Sequence, residues 1–482
     1  MSATAATAEG GFSASKPDSL FSPRYLAITL GLASSVLLTA FEGLAVFTAL
    51  PVAVAAVHGT AYLSLCFTAF TTASLVGMVV SGVRADRAGP ALPFLGGTAV
   101  FGIGLLVAGT ADAMAQLVAG RALQGFGAGL VMVSLYVILG RGYPERLRAS
   151  ALAMMAALWV MPSVIGPLVA GILTEDVSWR WVFLGVALLV PLPVALTAAP
   201  LRGMRGGGAA APESDSGAGP DSGAAAGSRP WRRVQLAVIA AIGAGALQYA
   251  GQDFTKVGIV LALGGVALLV PSVPKLLPRG TLRVGRGLPA VIVMHGVIGA
   301  AFFGSENYIT TMLETDRGLS PTIAGLTLVG QTVSWAAAAQ LASRGRLPFS
   351  REAMVRIGPL VTIASIAATG SAAVLPAPAV IVAIGMVIGG FGMSLVFQTL
   401  NLLLLRYSPK ESQGTNSSAM QICDSLAAVA LTGGTGAVFH ALHHAGPTNH
   451  GMYILIFAIL AVAAGVTVLI APRVGAHDLA TA

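Results

Sequence analysis

Long apolar runs of about 20 residues alternate along the chain with short stretches that hold almost all of its lysine and arginine. A bilayer core about 30 Å thick needs about 20 apolar residues, each rising about 1.5 Å, to be crossed by a helix. Lipid satisfies no backbone hydrogen bond, so only helices or closed barrels cross it, and runs of this length without period-2 alternation predict helices. We place fourteen of them near residues 25–50, 61–82, 92–111, 113–138, 150–173, 181–199, 234–251, 256–274, 288–312, 321–342, 354–374, 377–405, 413–438 and 452–472. Charged residues make up 10% of the 482-residue chain, against roughly 25% in soluble domains. That is too little charge to cover a globular surface facing water, and the predicted class is an all-α integral membrane protein.

Charge placement sets the expected orientation. With the first segment inside, 23 of the 27 Lys and Arg residues fall in inside segments, three (Arg180, Lys256 and Arg317) fall outside, and Arg121 lies within a helix. Positive residues concentrate on the cytoplasmic side of short loops. Both termini are therefore expected in the cytoplasm, with the chain in the cell inner (cytoplasmic) membrane. The asymmetry accounts for the net charge of +8 without a nucleic-acid partner; the lipid bilayer is the partner it implies. Cys66 and Cys423 fall in apolar runs, which implies no disulfide framework.

The expected organisation has seven parts. Residues 1–24 read as a disordered cytoplasmic tail, 25–199 as a six-helix bundle, and 200–233 as a Gly/Ala/Ser-rich cytoplasmic linker. Residues 234–274 hold two extra transmembrane helices, 275–287 a basic cytoplasmic loop, 288–472 a second six-helix bundle and 473–482 a cytoplasmic tail. Six helices plus six suggest a duplicated transporter.

Ionisable residues inside a membrane are costly and mark function by default. Four stand out: Glu42, Arg121, Glu306 and Asp424. Counted at about 1.5 Å per residue from the outer helix ends, the first three share the outer half of the bilayer, as groups lining one cavity would, and Asp424 lies deeper. Burial favours a neutral carboxyl and a nearby arginine favours a carboxylate, so Glu42 alternating between the two could take up and release a proton. A Glu42–Arg121 ion pair that only joins two helices is the other reading, with Arg121 a fixed structural charge. Glu306 could bind a cationic substrate or sit near a wet vestibule, and Asp424 could serve transport or be a capped structural acid. Asn307 beside Glu306, and Gln398 with Asn401, are candidate cavity residues; Gln124, Gln248, Gln331 and Gln421 read as interhelical hydrogen bonds, and His295 as structural. His440, His443, His444 and His450 share an outer segment that reads as a solvated loop, so no metal is expected. Gly385 and Gly389 have the spacing that lets helices approach closely.

Several stretches resemble the major facilitator superfamily, in particular its fourteen-helix drug:proton antiporter branch. GVRADRAG resembles the superfamily's cytoplasmic loop signature at Gly82, Asp86, Arg87 and Gly89, with Pro90 and Ala91 where basic residues are usual. FEGLAVFTALP is similar to the branch's first-helix pattern in its acid, Glu42, and its end, Ala49, Leu50 and Pro51. LVAGRALQGFGAG matches the fourth-helix pattern, with Arg121 at the arginine tied to proton transfer. MPSVIGPLVAG resembles the antiporter signature at Gly166, Pro167 and Gly171, a bend or pliable point in its helix. SWRWVFL, RGTLRVGRGLPAV, AFFGSENY and RGLSPTIAGLTL fit high-Gly/Ala members of the branch, where acids at the Glu306 and Asp424 positions are familiar.

The resemblance implies two rocking six-helix bundles and two extra helices central in the chain. It also implies a proton-coupled antiporter exporting an amphiphilic, cationic small molecule, and the expected state is a monomer. Protons would pass through Glu42 and Arg121, and Glu306, Asp424, Asn307 and Gln398 would serve substrate or proton. Export of one endogenous metabolite or lipid, and a non-transporting sensor or scaffold, are the alternatives. The chain carries no His-Glu-x-x-His, Gly-x-Ser-x-Gly or phosphate-loop pattern, so no enzyme, catalytic residue, cofactor or ATP coupling is expected.

Overall fold

The computed structural model describes residues 19–59, 62–204, 230–250, 256–315, 318, 321–372, 379–442 and 450–475. Every regular element among them is helical. The first group comprises α1 (Leu26–Ala56), α2 (Leu63–Ala88), α3 (Ala91–Gly109), α4 (Met114–Gly142), α5 (Glu145–Ala157), α6 (Val160–Ile172), α7 (Arg180–Leu189) and α8 (Pro191–Arg202). Then come α9 (Pro230–Ala250) and α10 (Lys256–Leu276). The last group comprises α11 (Leu288–Thr315), α12 (Pro321–Ser343), α13 (Arg351–Ser371), α14 (Ala379–Tyr407), α15 (Gln413–Leu442) and α16 (His450–Val474).

Thirteen spans among the described residues are long and apolar enough to cross a membrane. Two of them are built from consecutive helices: α5 and α6 share one crossing, and α7 and α8 share another. The helix outside this set is α12, which carries Thr327, Gln331, Thr332, Ser334 and Gln340.

The fifth run, expected as one helix over 150–173, is interrupted at Leu158 and Trp159. Pro162 explains the position, because a proline ring clashes with the carbonyl four residues earlier and offers no N–H to it. A π-helical turn over Leu173–Val177 then follows Gly171 and ends the crossing. Between α2 and α3 the chain reverses at Gly89, whose φ of +82° lies where side-chain-bearing residues are strained.

Packing gathers the crossings into two groups. In the first, α4 lies against α2 and α3, while α1 lies against α6, α7 and α8. Glycines on α4 allow the approach: a Cβ at Gly125 would sit 2.0 Å from the Phe70 carbonyl oxygen on α2, and one at Gly127 would sit 2.4 Å from the Phe101 nitrogen on α3. In the second group, α11 packs on α14, α15 and α16, and α13 joins α14 to α16. Gly389 lets α14 meet α13, where Ser365 Oγ donates to the Gly385 carbonyl at 2.7 Å.

The pair α9 and α10, central in sequence, lies on the flank, with α9 against α2 and α15. Their mutual approach is close at Gly243 and Gly265. The outer face of α10 shows Val257, Val260, Leu263 and Val270, each more than 60% exposed, as lipid contact requires.

The two groups touch through α2 with α15, α4 with α15, and α12 with α5 and α6. The closest of these contacts cluster toward the arginine-rich end. A Cβ at Gly82 would sit 2.6 Å from the Gly414 carbonyl oxygen. Ala153 and Ala156 of α5 are buried against Ala339 of α12, and Leu402 and Leu405 of α14 join a core with Ile138 and Leu139 of α4.

Candidate functional site

Three polar centres interrupt this apolar interior. The first joins α1 to α4. Arg121 Nη1 donates to Glu42 Oε1 in a salt bridge, and also to Gln124 Oε1 at 2.5 Å. Glu42 is fully buried and Arg121 is 3% exposed. The Phe70 ring lies under the guanidinium, 4.5 Å from its carbon, and adds a cation–π contact. The glycines that seat α4 on α2 put Phe70 there, so the pattern around Arg121 is a packing device as much as a chemical one.

One oxygen of the carboxylate, Glu42 Oε2, is buried without a hydrogen-bond partner, as are Arg121 Nε and Gln124 Nε2. A buried charge pair left partly unsatisfied gains little net stability over apolar packing, yet removing one partner strands the other. In this conformation neither Glu42 nor Arg121 faces open space.

The second centre joins α11 to α12. Gln331 Nε2 donates to Glu306 Oε1. Asn307, the next residue, is exposed. An aromatic cluster continues from this pair: Phe303 stacks on Trp335 with centroids 5.9 Å apart, and Trp335 meets Phe397 edge-on at 5.4 Å. Trp335 stands one helical turn beyond Gln331, so the acid, the amide and the rings share one region of the second group.

Phe397 connects that cluster to the third centre. Its ring lies 3.8 Å from the His295 ring, and His295 Nδ1 is 2.7 Å from Asp424 Oδ1. His295 is fully buried, while the Asp424 side chain is 27% exposed. Asp424 is thus held by a histidine across helices, where a serine or threonine cap was the structural alternative. Gln398, beside Phe397, is half-buried. Asn401 donates to the Phe397 carbonyl one turn back at 3.0 Å, so its bond is within α14 and not to a cavity.

At the arginine-rich end, Asp86 closes α2 onto the first turn of α15. Its Oδ1 accepts from the Gly414 N–H and its Oδ2 from the Thr415 N–H, both at 2.7 Å. A carboxylate there meets unpaired N–H groups and the positive end of the helix dipole. Arg141 of α4 donates to Asp86 Oδ1 at 3.3 Å and to the Lys410 carbonyl. Arg87 is exposed, and Gly89 makes the turn. Gly166 packs by α1, where a Cβ would lie in ordinary contact at 3.5 Å from Leu44 Cβ; Gly171 has nothing within 4 Å. Pro167 lies within α6, which begins just after the helix break.

The sequence placed Glu42 with Arg121, but it did not single out Phe70, Trp335, Arg141 or the bond between His295 and Asp424. The last partners lie 129 residues apart, and Asp86 lies 328 from Gly414. No local spacing signals such contacts. Among the described residues no His/Cys/Asp/Glu group could hold a metal ion; His443 and His444 lie outside them.

Comparison with known proteins adds the family context. Residues 32–432 match the profile of the Major Facilitator Superfamily. The multidrug transporter protein MdtP of Bacillus subtilis is 25% identical over 432 residues, which covers 87% of this chain and 76% of that one. A probable multidrug-efflux transporter of Mycobacterium tuberculosis is 35% identical over 184 residues, covering 36% of this chain and 38% of that one. Among solved structures, the human organic anion transporter MFSD10 superposes with a TM-score of 0.67 at 12% identity, covering 93% of this chain and all of that one. The proton:xylose symporter XylE gives 0.62 at 14% identity, covering 91% and 94%. These structural likenesses concern the fold.

Proposed function

The chain belongs to the major facilitator superfamily, and on that premise we propose that it is a proton-coupled antiporter exporting cationic amphiphiles. The bundles over residues 25–199 and 288–472 are the bodies that rock, giving alternating access to a site between them. The arginine-rich end faces the cytoplasm of the inner membrane, following the charge asymmetry.

The observation that carries this reading is the division of labour between the halves. The first half holds a buried, partly unsatisfied Glu42–Arg121 pair. The second half holds Glu306 bonded to Gln331, with Phe303 three residues before Glu306 on the same helix and the Trp335 and Phe397 rings continuing from Phe303. Aromatic faces and a carboxylate compensate the desolvation of an organic cation. Protonation of Glu42 would release Arg121, and its return to the paired state would expel the proton. Glu306 and Asp424, with Asn307 and Gln398, serve the substrate or its exchanging proton. The two relatives' description as multidrug transporters supports drug-like small molecules as the cargo.

The test uses inside-out membrane vesicles, energised to acidify their lumen, with a pH-sensitive dye. Lipophilic cations added to the wild type are expected to release protons from the lumen, and Glu42→Gln is expected to abolish that release. Release that persists in Glu42→Gln removes Glu42 from coupling. Export undiminished in the double variant Glu306→Gln, Asp424→Asn removes the cation site.

A further inference from the structure

A cavity of about 320 Å³ lies between α2, α9 and α15 and shares no lining residue with the three polar centres. It sits at the seam where the two halves diverge from their contact at Gly82 and Gly414, and α9 covers it from the flank. The size is at the lower end for small-molecule sites, which run to roughly 300–1,000 Å³.

Its chemistry is specific. Five of its twelve lining residues are leucine, valine or alanine, the rest are threonine, serine, glutamine and glycine, and no charged side chain is among them. Polar groups converge on one part of it. The hydroxyl of Thr72 on α2 is buried and without a hydrogen-bond partner. Gln248 of α9 accepts from Thr71 Oγ1 at 2.9 Å, which occupies its carbonyl oxygen and leaves its amide hydrogens as donors. Gly245 lets α9 pack closely at the Thr72 hydroxyl, since a Cβ there would sit 2.5 Å from Thr72 Oγ1. Across the space, a Cβ at Gly433 of α15 would meet nothing within 4 Å.

Buried hydroxyl groups without partners are costly unless something completes them. A charge brought here would find no counter-charge. We propose that this cavity binds an uncharged amphiphile whose head accepts hydrogen bonds from Thr72 and Gln248 and whose compact apolar part fills the space toward Ala428. The site is separate from the one proposed for cations and does not depend on it. Because α2 and α15 belong to different halves, its shape changes when they rock, and an occupant favours the conformation in which the cavity is open.

The test uses the full chain in lipid nanodiscs and three photoreactive probes with one common diazirine-bearing chain. One probe ends in glycerol, one in carboxylate and one in trimethylammonium. Cross-linked peptides are mapped by mass spectrometry. The glycerol probe is expected to label residues around Gln248 and Ala428 at concentrations about tenfold below the charged probes, as a tenfold affinity difference requires. Ala428→Trp, which fills the cavity, is expected to abolish this labelling. Thr72→Val is expected to weaken it about fivefold, the loss of one hydrogen bond. Thr72→Val removes a hydroxyl that pairs with nothing in the protein, so it keeps the fold and tests the site even if Ala428→Trp disturbs packing. Equal labelling by all three probes, or labelling that survives both substitutions, overturns the proposal and leaves only a lipid-facing surface.

Discussion

At the scale of single residues, Arg121 and Glu42 depend on each other more than either supports the fold. Glu42→Gln leaves a buried guanidinium with Gln124 and the Phe70 ring, and Arg121→Gln leaves a buried carboxylate. Each substitution is expected to destabilise by about 3–5 kcal/mol, as when one partner of a buried pair is removed. The double variant is expected to recover most of that loss while remaining inactive in proton-coupled export. Thermal unfolding of the three variants in detergent, read beside vesicle transport, checks both halves of the statement. Recovered stability with recovered transport would reduce the pair to a structural link. A second contrast concerns glycine. Gly125→Ala would set a methyl 2.0 Å from backbone on α2, whereas Gly171→Ala meets open space. The first is expected to cost at least about 1–3 kcal/mol, the range for overpacking, and to shift Phe70 off Arg121. The second is expected to be neutral or stabilising by up to about 1 kcal/mol, because glycine is the poorer helix residue. Comparison of the two melting temperatures decides it.

At the scale of elements, the crossings were legible because each must be apolar along about 20 residues. What hydropathy does not report is where a crossing breaks. The run over 150–173 reads as continuous by composition, yet Pro162 splits it at Leu158 and Trp159, and a π turn ends it. Pro162→Ala restores the missing N–H and is expected to join α5 to α6. It should raise the unfolding temperature, since an interior proline costs about 3 kcal/mol, and lower the export rate if the break is a hinge. A raised melting temperature with unchanged transport would make the break a passive kink. Arg121 was legible for a different reason: a charge in an apolar run needs no partner to be noticed. Its surroundings were not, because Phe70 looks like any aromatic in a membrane helix, as does Trp335 in the second half. The aspartates were noticed, but Asp86 finds Gly414 and Asp424 finds His295 only through packing between distant helices.

At the scale of the whole molecule, the arginine-rich end is held shut by charge and by shape at the same seam. Asp86 ties two N–H groups of α15 to α2, and Gly82 and Gly414 let the two backbones touch. Asp86→Asn keeps the size and removes the charge; its one acceptor oxygen serves one of the two N–H groups and its amide nitrogen leaves the other unpaired, where each bond to an ionised group is worth about 1.5–3 kcal/mol. Every 1.4 kcal/mol or so lost from the closed state is about tenfold in its population. A cysteine at Ser417, a fully buried position one turn into α15, reports the change when both native cysteines are replaced. Its reaction with a membrane-impermeant maleimide from the arginine-rich side is expected to be about tenfold faster with Asp86→Asn. Gly82→Ala provides the other arm, because its methyl would press on the Gly414 carbonyl oxygen at 2.6 Å. If charge holds the seam, Asp86→Asn opens it with Gly82 intact. If shape does, only Gly82→Ala speeds the reaction, and the Asp86 charge then adds little to the closed state.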